Sequence, residues 1–164
     1  MRTLFLLRHA KSSWKNKDLA DFERPLNSRG RKAAETMGAY LRQESVNPEM
    51  ILSSCAVRAR ETIEIVLRSA KLKPELRFDE RIYEASSARL HEVITQIDKG
   101  VQSILIVGHN PGLEELISVL TGNLEVMPTA ALAKISLKIS DWTNAGRKYG
   151  TLDWIVRPKE LESG

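Results

Sequence analysis

Cysteine and long apolar segments are scarce in this chain. Its 164 residues include one cysteine, Cys55, which excludes an internal disulfide and a cysteine-rich zinc site. No apolar run approaches the roughly 20 residues that a membrane-spanning helix requires, and no apolar segment follows a basic stretch as in a signal peptide. We therefore expect no membrane partner, and a reducing, cytoplasmic setting.

Repeats, low-complexity tracts and linkers are also missing, so we expect residues 1–164 to form a single domain. The formal net charge is only +4. Such a small excess suits anionic metabolites, phosphoproteins or nucleic acid, and it does not choose among them.

Several phosphate-handling motifs are absent as well. A cysteine phosphatase would need an arginine six residues after its cysteine, but Glu61 stands at that position. There is no D-x-D pair of an aspartyl phosphatase, and no G-x-x-x-x-G-K-[ST] loop of a nucleotide triphosphatase. Cys55 is therefore interpreted as a small buried apolar side chain.

The segments that are present alternate between strand and helix patterns. Buried strands are predicted at TLFLLRHA, MILSS, PELRF and SILIVGH, each followed by a loop or an amphipathic helix. The tail, ALAKISLKIS and TLDWIVRPKEL, is typical of two strands around a turn near residues 144–146, and residues 11–27 are predicted to form a long loop. This alternation predicts a three-layer α/β/α sandwich with a mainly parallel central sheet.

Two of the predicted strands end at a histidine. LLRHA and IVGHNPG deliver Arg8, His9 and His109 to the carboxyl edge of the sheet, where α/β folds bind their ligands. The turn and helix SSCAVRARET add Arg58. Two imidazoles and two guanidiniums repel one another unless an anion neutralises them, and a phosphoryl group fits because arginine binds its oxygens through paired hydrogen bonds.

The helix after the second of these strands has clear start signals. Asn110 is predicted to cap it and Pro111 to occupy its first position, with Glu114 and Glu115 near its positive end. This helix N-terminus would add further attraction for an anion.

These blocks resemble a known family. RHA (Arg8–Ala10), SSCAVRARET (Ser53–Thr62) and GHNPG (Gly108–Gly112) resemble the histidine phosphatase superfamily, and the loop DFERPLNSRGRKAA (Asp21–Ala34) resembles its SixA-type phosphohistidine phosphatases. The resemblance covers roughly residues 1–120. It implies a phosphoglycerate mutase-like fold.

The resemblance also implies a covalent mechanism without metal or cofactor. His9 would attack phosphorus and become transiently phosphorylated, and water would then release phosphate. Arg8, Arg58 and His109 would bind the phosphoryl oxygens. Ser12 matches a phosphate-contacting serine of the mutase-like branch.

Two departures from the family pattern affect this expectation. Ala10 stands where the superfamily usually has glycine. Relatives that use a glutamate as general acid carry it at the start of an E-R-x-Y-G motif. In this chain Glu80 occupies that first position, but Glu84 stands at the last position in place of glycine. Glu80 is therefore either the acid or a charged loop residue. A phosphohistidine needs no strong acid, because it can leave as neutral imidazole.

The function expected is removal of phosphate from phosphohistidine in a protein, with a small phosphate ester such as a sugar phosphate as the alternative. A non-catalytic module that binds phosphoprotein or nucleic acid is a third hypothesis. The expected partner is a phosphorylated protein or metabolite, not nucleic acid, and the oligomeric state is open. Trp14, Lys11 and Lys15 either line the mouth of the site or belong to a solvated loop, and Asp21 is expected to anchor the loop through Arg24 or Arg29.

Overall fold

The computed structural model describes residues 1–146 and 150–162. Six strands form one sheet in the order β3-β2-β4-β1-β5-β6. The four strands β1 to β4 pair in parallel, whereas β5 and β6 are antiparallel, which confirms the mainly parallel sheet. The strands are β1 (Arg2–Arg8), β2 (Met50–Ser53), β3 (Glu75–Phe78), β4 (Ser103–Gly108), β5 (Leu132–Leu137) and β6 (Gly150–Val156).

Helices cover both faces of this sheet, as a three-layer sandwich requires. Those of at least five residues in the described ranges are α1 (Ser28–Gln43), α2 (Val57–Ala70), α3 (Ser87–Thr95), α4 (Gly112–Thr121) and α5 (Pro158–Glu162). One apolar core joins the sheet to α1 and α2, and a second core joins its other face to α3 and α4. The predicted α/β/α layering is confirmed.

The apolar run in β1 explains why this strand lies in the middle of the sheet. Leu4 and Leu6 belong to the core on the α3 and α4 side, while Phe5 and Leu7 belong to the other core. Successive side chains of a strand point to opposite faces, so only a strand covered on both faces can be continuously apolar. The run ends at Arg8, the last residue of β1, and the site begins there.

The start of α4 differs from its prediction. Pro111, with φ −81° and ψ −4°, is the residue that precedes the helix, and it makes no side-chain capping hydrogen bond. The Asn110 side chain instead donates to Glu114 Oε2 and to the Met127 carbonyl, at 2.9 and 2.8 Å. The capping prediction for Asn110 was therefore wrong, because contacts with the loop before β5 engage its side chain.

The C-terminal region contains the two expected strands and one unexpected element. The connection between β5 and β6 contains a 3-10 turn, Trp142–Asn144. Residues 147–149 of this connection lie outside the described residues. The short helix α5 was not anticipated from the sequence. Among the described residues, no helix combines the length and the apolar character needed to cross a membrane.

Candidate active site

The two strand-end histidines lie side by side. Arg8 at the end of β1 pairs in register with Gly108 at the end of β4, and the His9 amide donates to the Gly108 carbonyl at 3.1 Å. This register places the imidazole rings of His9 and His109 with centroids 5.1 Å apart. Both side chains are almost fully buried at the carboxyl edge of the sheet.

A threonine fastens α2 to the end of β1 and so positions Arg58. The Thr62 hydroxyl accepts from the Ala10 amide at 2.9 Å and donates to the Arg58 carbonyl at 2.6 Å. Arg58 lies in the first turn of α2 and is buried. Ala10 is itself completely buried, so its methyl group is accommodated where relatives usually have glycine.

These residues line a cleft of about 350 Å³. It brings together the four predicted residues and Ser12. Trp14 and Lys11 also line it, whereas Lys15 is exposed and is not among the described lining residues. The lining residues are Arg8, His9, Lys11, Ser12, Trp14, Arg24, Arg58, Glu84, His109, Asn110 and Thr129.

The hydrogen bonds of His9 fix its tautomer. Nδ1 lies 2.7 Å from the Ala10 carbonyl oxygen, which can only accept, so Nδ1 carries the proton. Burial is the main cause that lowers the pKa of His9 to about 4, and the cationic Arg58, Arg8 and Arg24 contribute to this shift. At neutral pH His9 is therefore an uncharged imidazole with a free electron pair on Nε2.

His109 is neutral for similar reasons. Burial is the main cause that lowers its pKa to about 3, followed by the neighbouring His9 and Arg58. Its Nε2 lies 2.7 Å from the Ser54 hydroxyl oxygen, while its buried Nδ1 has no hydrogen-bond partner among the described residues. The Ser54 oxygen accepts from the Ala56 amide at 3.2 Å, so the serine hydrogen is free to be donated to Nε2. When the serine donates in this way, the proton of neutral His109 is on Nδ1, the nitrogen 4.0 Å from Glu84 Oε1.

Arg58 is held from one side by the loop of residues 11–27. Its Nη1 donates to the Asp21 carbonyl at 2.8 Å and its Nη2 to Asp21 Oδ2 at 3.0 Å. Asp21 also pairs with Arg24 at 3.0 Å, which confirms Arg24 as one of its expected partners. A hydrogen bond from Tyr83 is the largest cause that lowers the pKa of Asp21 to about 2, with Arg58 and Arg24 contributing.

Arg24 is a cleft residue that the sequence analysis did not select. It is buried, its Nη2 donates to the Ser12 hydroxyl at 2.5 Å, and its guanidinium lies 3.2 Å from the Trp14 ring centroid. The loop sequence DFERPL that suggested the family resemblance contains this arginine. Its arrival in the cleft depends on the fold of the whole loop.

Arg8 adds a third guanidinium to the cleft, and its side chain is half-buried. Burial lowers its pKa below the usual arginine value, and Nη1 donates to the Met127 carbonyl at 3.1 Å. Its buried Nε has no hydrogen-bond partner within the described part of the chain. Arg8 therefore retains donor capacity for an anion.

Glu84, and not Glu80, is the glutamate that lines the cleft. Glu80 is exposed on a 3-10 turn, Glu80–Ile82, and is not among the described lining residues. Glu84 has a left-handed backbone with φ 52°, the conformation that a glycine at this position would adopt freely. Its Oε1 accepts from Arg58 Nη2 at 3.1 Å and lies 4.0 Å from His109 Nδ1.

Two other polar residues have structural contacts away from the cleft. Cys55 is half-buried where burial was predicted, and partial burial is the main cause that raises its thiol pKa. His91 on α3 hydrogen bonds through Nε2 with the Ala145 carbonyl. The described ranges contain no group of three or more histidine, cysteine or acidic residues that could hold a metal ion.

Comparison with known proteins decides the family. Residues 4–87 match the model of the histidine phosphatase superfamily, branch 1. The chain belongs to this superfamily. It is a phosphatase of the SixA type with the phosphoglycerate mutase-like fold.

Three of the relatives cover the chain almost completely. The phosphohistidine phosphatase SixA of Escherichia coli is 27% identical over 97% of this chain and 96% of its own length. A structure from Agrobacterium tumefaciens assigned as SixA is 27% identical, with a TM-score of 0.83 over 96% of this chain and 98% of its own. The protein histidine phosphatase SixA complexed with tungstate is 25% identical, with a TM-score of 0.79 over 97% of this chain and 99% of its own.

Proposed function

We propose that this phosphatase hydrolyses phosphohistidine through a covalent phosphoenzyme on His9. The observation that carries the proposal is the state of His9, an uncharged imidazole whose Nδ1 proton is donated to the Ala10 carbonyl. Its Nε2 electron pair faces a site with three arginines, Arg8, Arg24 and Arg58. Such a group is a nucleophile beside an anion-binding site.

In the first step the Nε2 of His9 forms a bond to phosphorus as the bond to the leaving nitrogen breaks. The leaving imidazole keeps that electron pair and departs uncharged if its other nitrogen carries a proton. Arg8, Arg58 and the Nδ1 hydrogen of His109 stabilise the charge on the phosphoryl oxygens. In the second step water attacks phosphorus, the bond to Nε2 breaks, and inorganic phosphate carries away the water proton.

The names of the relatives support this substrate class. Two of those described above are SixA phosphohistidine phosphatases, and one was obtained with tungstate, a tetrahedral oxyanion like phosphate. On the same grounds we propose that residues 1–164 act as a single catalytic domain. Ser12 is a candidate phosphate ligand through its hydroxyl, which Arg24 already engages.

A small phosphate ester is the second candidate substrate, and Glu84 is the observation that favours it. An alkoxide leaves poorly without a proton donor, and Glu84 carries a half-exposed carboxyl group at the cleft, where such a donor would have to lie. In that reaction Glu84, and not Glu80, would be the acid.

The deciding experiment compares substrates on wild-type and His9→Ala protein. Rapid, His9-dependent hydrolysis of phosphoramidate and phosphohistidine, with slow hydrolysis of p-nitrophenyl phosphate and sugar phosphates, supports the proposal. The opposite ranking, combined with loss of ester hydrolysis in Glu84→Gln, moves the substrate to an ester. Absence of hydrolysis on all of them contradicts the catalytic role of His9.

A further inference from the structure

A second concavity lies beside the cleft, between α4 and the segment that follows it. Its volume is about 560 Å³. We call it the acidic groove, and its defining side chains are Glu114, Glu115, Val119, Leu124, Glu125 and Val126.

The apolar side chains of the acidic groove are exposed to solvent, and hydrogen bonds fix the backbone that carries them. Leu124 is 87% exposed and Val126 is 68% exposed. The Val126 carbonyl accepts from Nη2 of Arg157 at 3.0 Å, and the next amide, of Met127, donates to Glu114 Oε2 at 2.7 Å. Exposed apolar side chains on a fixed backbone beside a functional site are typical of a binding surface.

The acidic groove shares a wall with the cleft. The Met127 carbonyl accepts from Arg8 Nη1 at 3.1 Å and from Asn110 Nδ2 at 2.8 Å, and both donors line the cleft. Asn110 Nδ2 also lies 2.9 Å from Glu114 Oε2. A molecule whose phosphoryl group occupies the cleft therefore has its adjoining atoms next to the groove.

The charges of the two concavities are opposite. The cleft gathers arginines, whereas the described lining of the groove contains three carboxylates and no cationic side chain. Arg157 offsets this charge in part, since it lies 3.9 Å from Glu125 Oε2. The groove is therefore a local acidic patch on a chain whose net charge is +4.

We propose that the acidic groove binds the polypeptide flanking the phosphohistidine of a protein substrate, specifically a segment with lysine or arginine beside an apolar residue. Apolar side chains of that segment would cover Leu124 and Val126, and its cations would meet the glutamates. The substrate class rests on the proposed function. Each concavity is large enough to hold a ligand by itself. A small phosphorylated metabolite would therefore occupy the cleft alone and leave the groove empty.

The test uses two synthetic histidine peptides, one flanked by lysine and leucine and the other by aspartate and serine. Fluorescence anisotropy measures binding of their unphosphorylated forms, which needs no catalysis. Hydrolysis of their phosphorylated forms is compared with that of phosphoramidate. The variants are Leu124→Ser/Val126→Ser and Glu115→Lys, with Glu64→Lys on the exposed side of α2 as the control of equal charge change.

The proposal expects wild-type protein to bind the lysine–leucine peptide more tightly. The quantity compared is the kcat/KM for that peptide divided by the kcat/KM for phosphoramidate. In both groove variants this ratio should fall about tenfold, because the KM for the peptide rises. In Glu64→Lys the ratio should not change. Equal binding of the two peptides, or an unchanged ratio in the groove variants, overturns the proposal. A wild-type dimer that Leu124→Ser/Val126→Ser dissociates would also overturn it, because a second copy would then cover the groove. Peptide binding without any phosphoramidate hydrolysis would contradict the proposed function and leave the docking surface supported.

Discussion

The carboxylate of Glu84 lies 3.1 Å from the guanidinium of Arg58, on the side of that guanidinium that faces the cleft. Arg58 has two further acceptors on Asp21, but Glu84 is the half-exposed partner and its backbone has a positive φ. A phosphoryl oxygen that binds Arg58 would take the place of the Glu84 oxygen. Glu84 therefore competes with the ligand for this arginine.

Removal of the Glu84 charge should tighten phosphate binding. Because the side chain is half exposed, the effect is screened, and we expect about 1 kcal/mol, or roughly a fivefold lower Kd for inorganic phosphate in Glu84→Gln. Isothermal titration calorimetry measures it directly. Glu80→Gln is the matched control, since Glu80 is exposed and outside the lining of the cleft, and it should bind as wild type does. Weaker phosphate binding by Glu84→Gln would show that Glu84 supports the anion site.

The buried histidines should make stability depend on pH. The pKa values of His9 and His109 are about 4 and about 3, against 6.5 in the ordinary imidazole, so the unfolded chain binds more protons below pH 6.5. The free energy of unfolding should therefore fall as pH decreases from 6.5 to 4, by on the order of 2 kcal/mol for each histidine at pH 4.5.

Urea unfolding at pH 7 and pH 4.5 measures this difference. His9→Asn and His109→Asn should each show a smaller decrease than wild type, because one group that must stay uncharged has been removed. A variant with the full wild-type decrease would mean that other groups cause the pH dependence.

Ser54 should control the tautomer of His109. Ser54→Ala removes the hydroxyl that can donate to Nε2, so the proton is no longer directed to Nδ1 and kcat should fall about tenfold. Nitrogen NMR of labelled imidazoles reads the tautomer independently of turnover. Ser53→Ala is the control, because the Ser53 hydroxyl donates to a backbone carbonyl and not to a histidine. An unchanged tautomer in Ser54→Ala would contradict this role.

Arg24 should act through the shape of its guanidinium as well as its charge. It joins Ser12, the Ser13 carbonyl and Asp21, and a lysine cannot make these contacts together. Arg24→Lys should therefore raise the KM for phosphoramidate several-fold and weaken protection of the 11–27 loop in hydrogen exchange. Arg31→Lys, at an exposed ion pair with Glu61, is the comparison variant and should change neither.

The sequence predicted the sheet and the four central residues because these depend on local patterns. A doubly buried strand must be continuously apolar, so the point where β1 and β4 turn polar marks the ligand edge of the sheet, with His9 and His109 next in the chain. The placement of Arg58 depends on one helical turn after β2, which is also a short-range feature.

Residues placed by tertiary contacts were not predictable in the same way. Glu84 reaches Arg58 through a left-handed backbone after a 3-10 turn, and neither feature has a periodic sequence pattern. Asn110 is a residue type that favours N-caps, but its Nδ2 donates to Glu114 and to the Met127 carbonyl, and these bonds orient the side chain so that its oxygen does not cap the helix. The acidic groove depends in the same way on the hydrogen bonds that fix the backbone of residues 124–127. No local sequence pattern encodes these bonds.

The most direct measurement is the identification of the phosphorylated residue during turnover. Wild-type protein would be mixed with phosphoramidate, quenched in alkali, which preserves phosphohistidine, and digested for mass spectrometry. The proposed mechanism predicts a phosphoryl group on Nε2 of His9. Slower release of phosphate in His109→Asn would make this phosphorylated form accumulate more strongly. Hydrolysis that proceeds with no phosphorylated His9, or that persists in His9→Ala, would contradict the covalent mechanism.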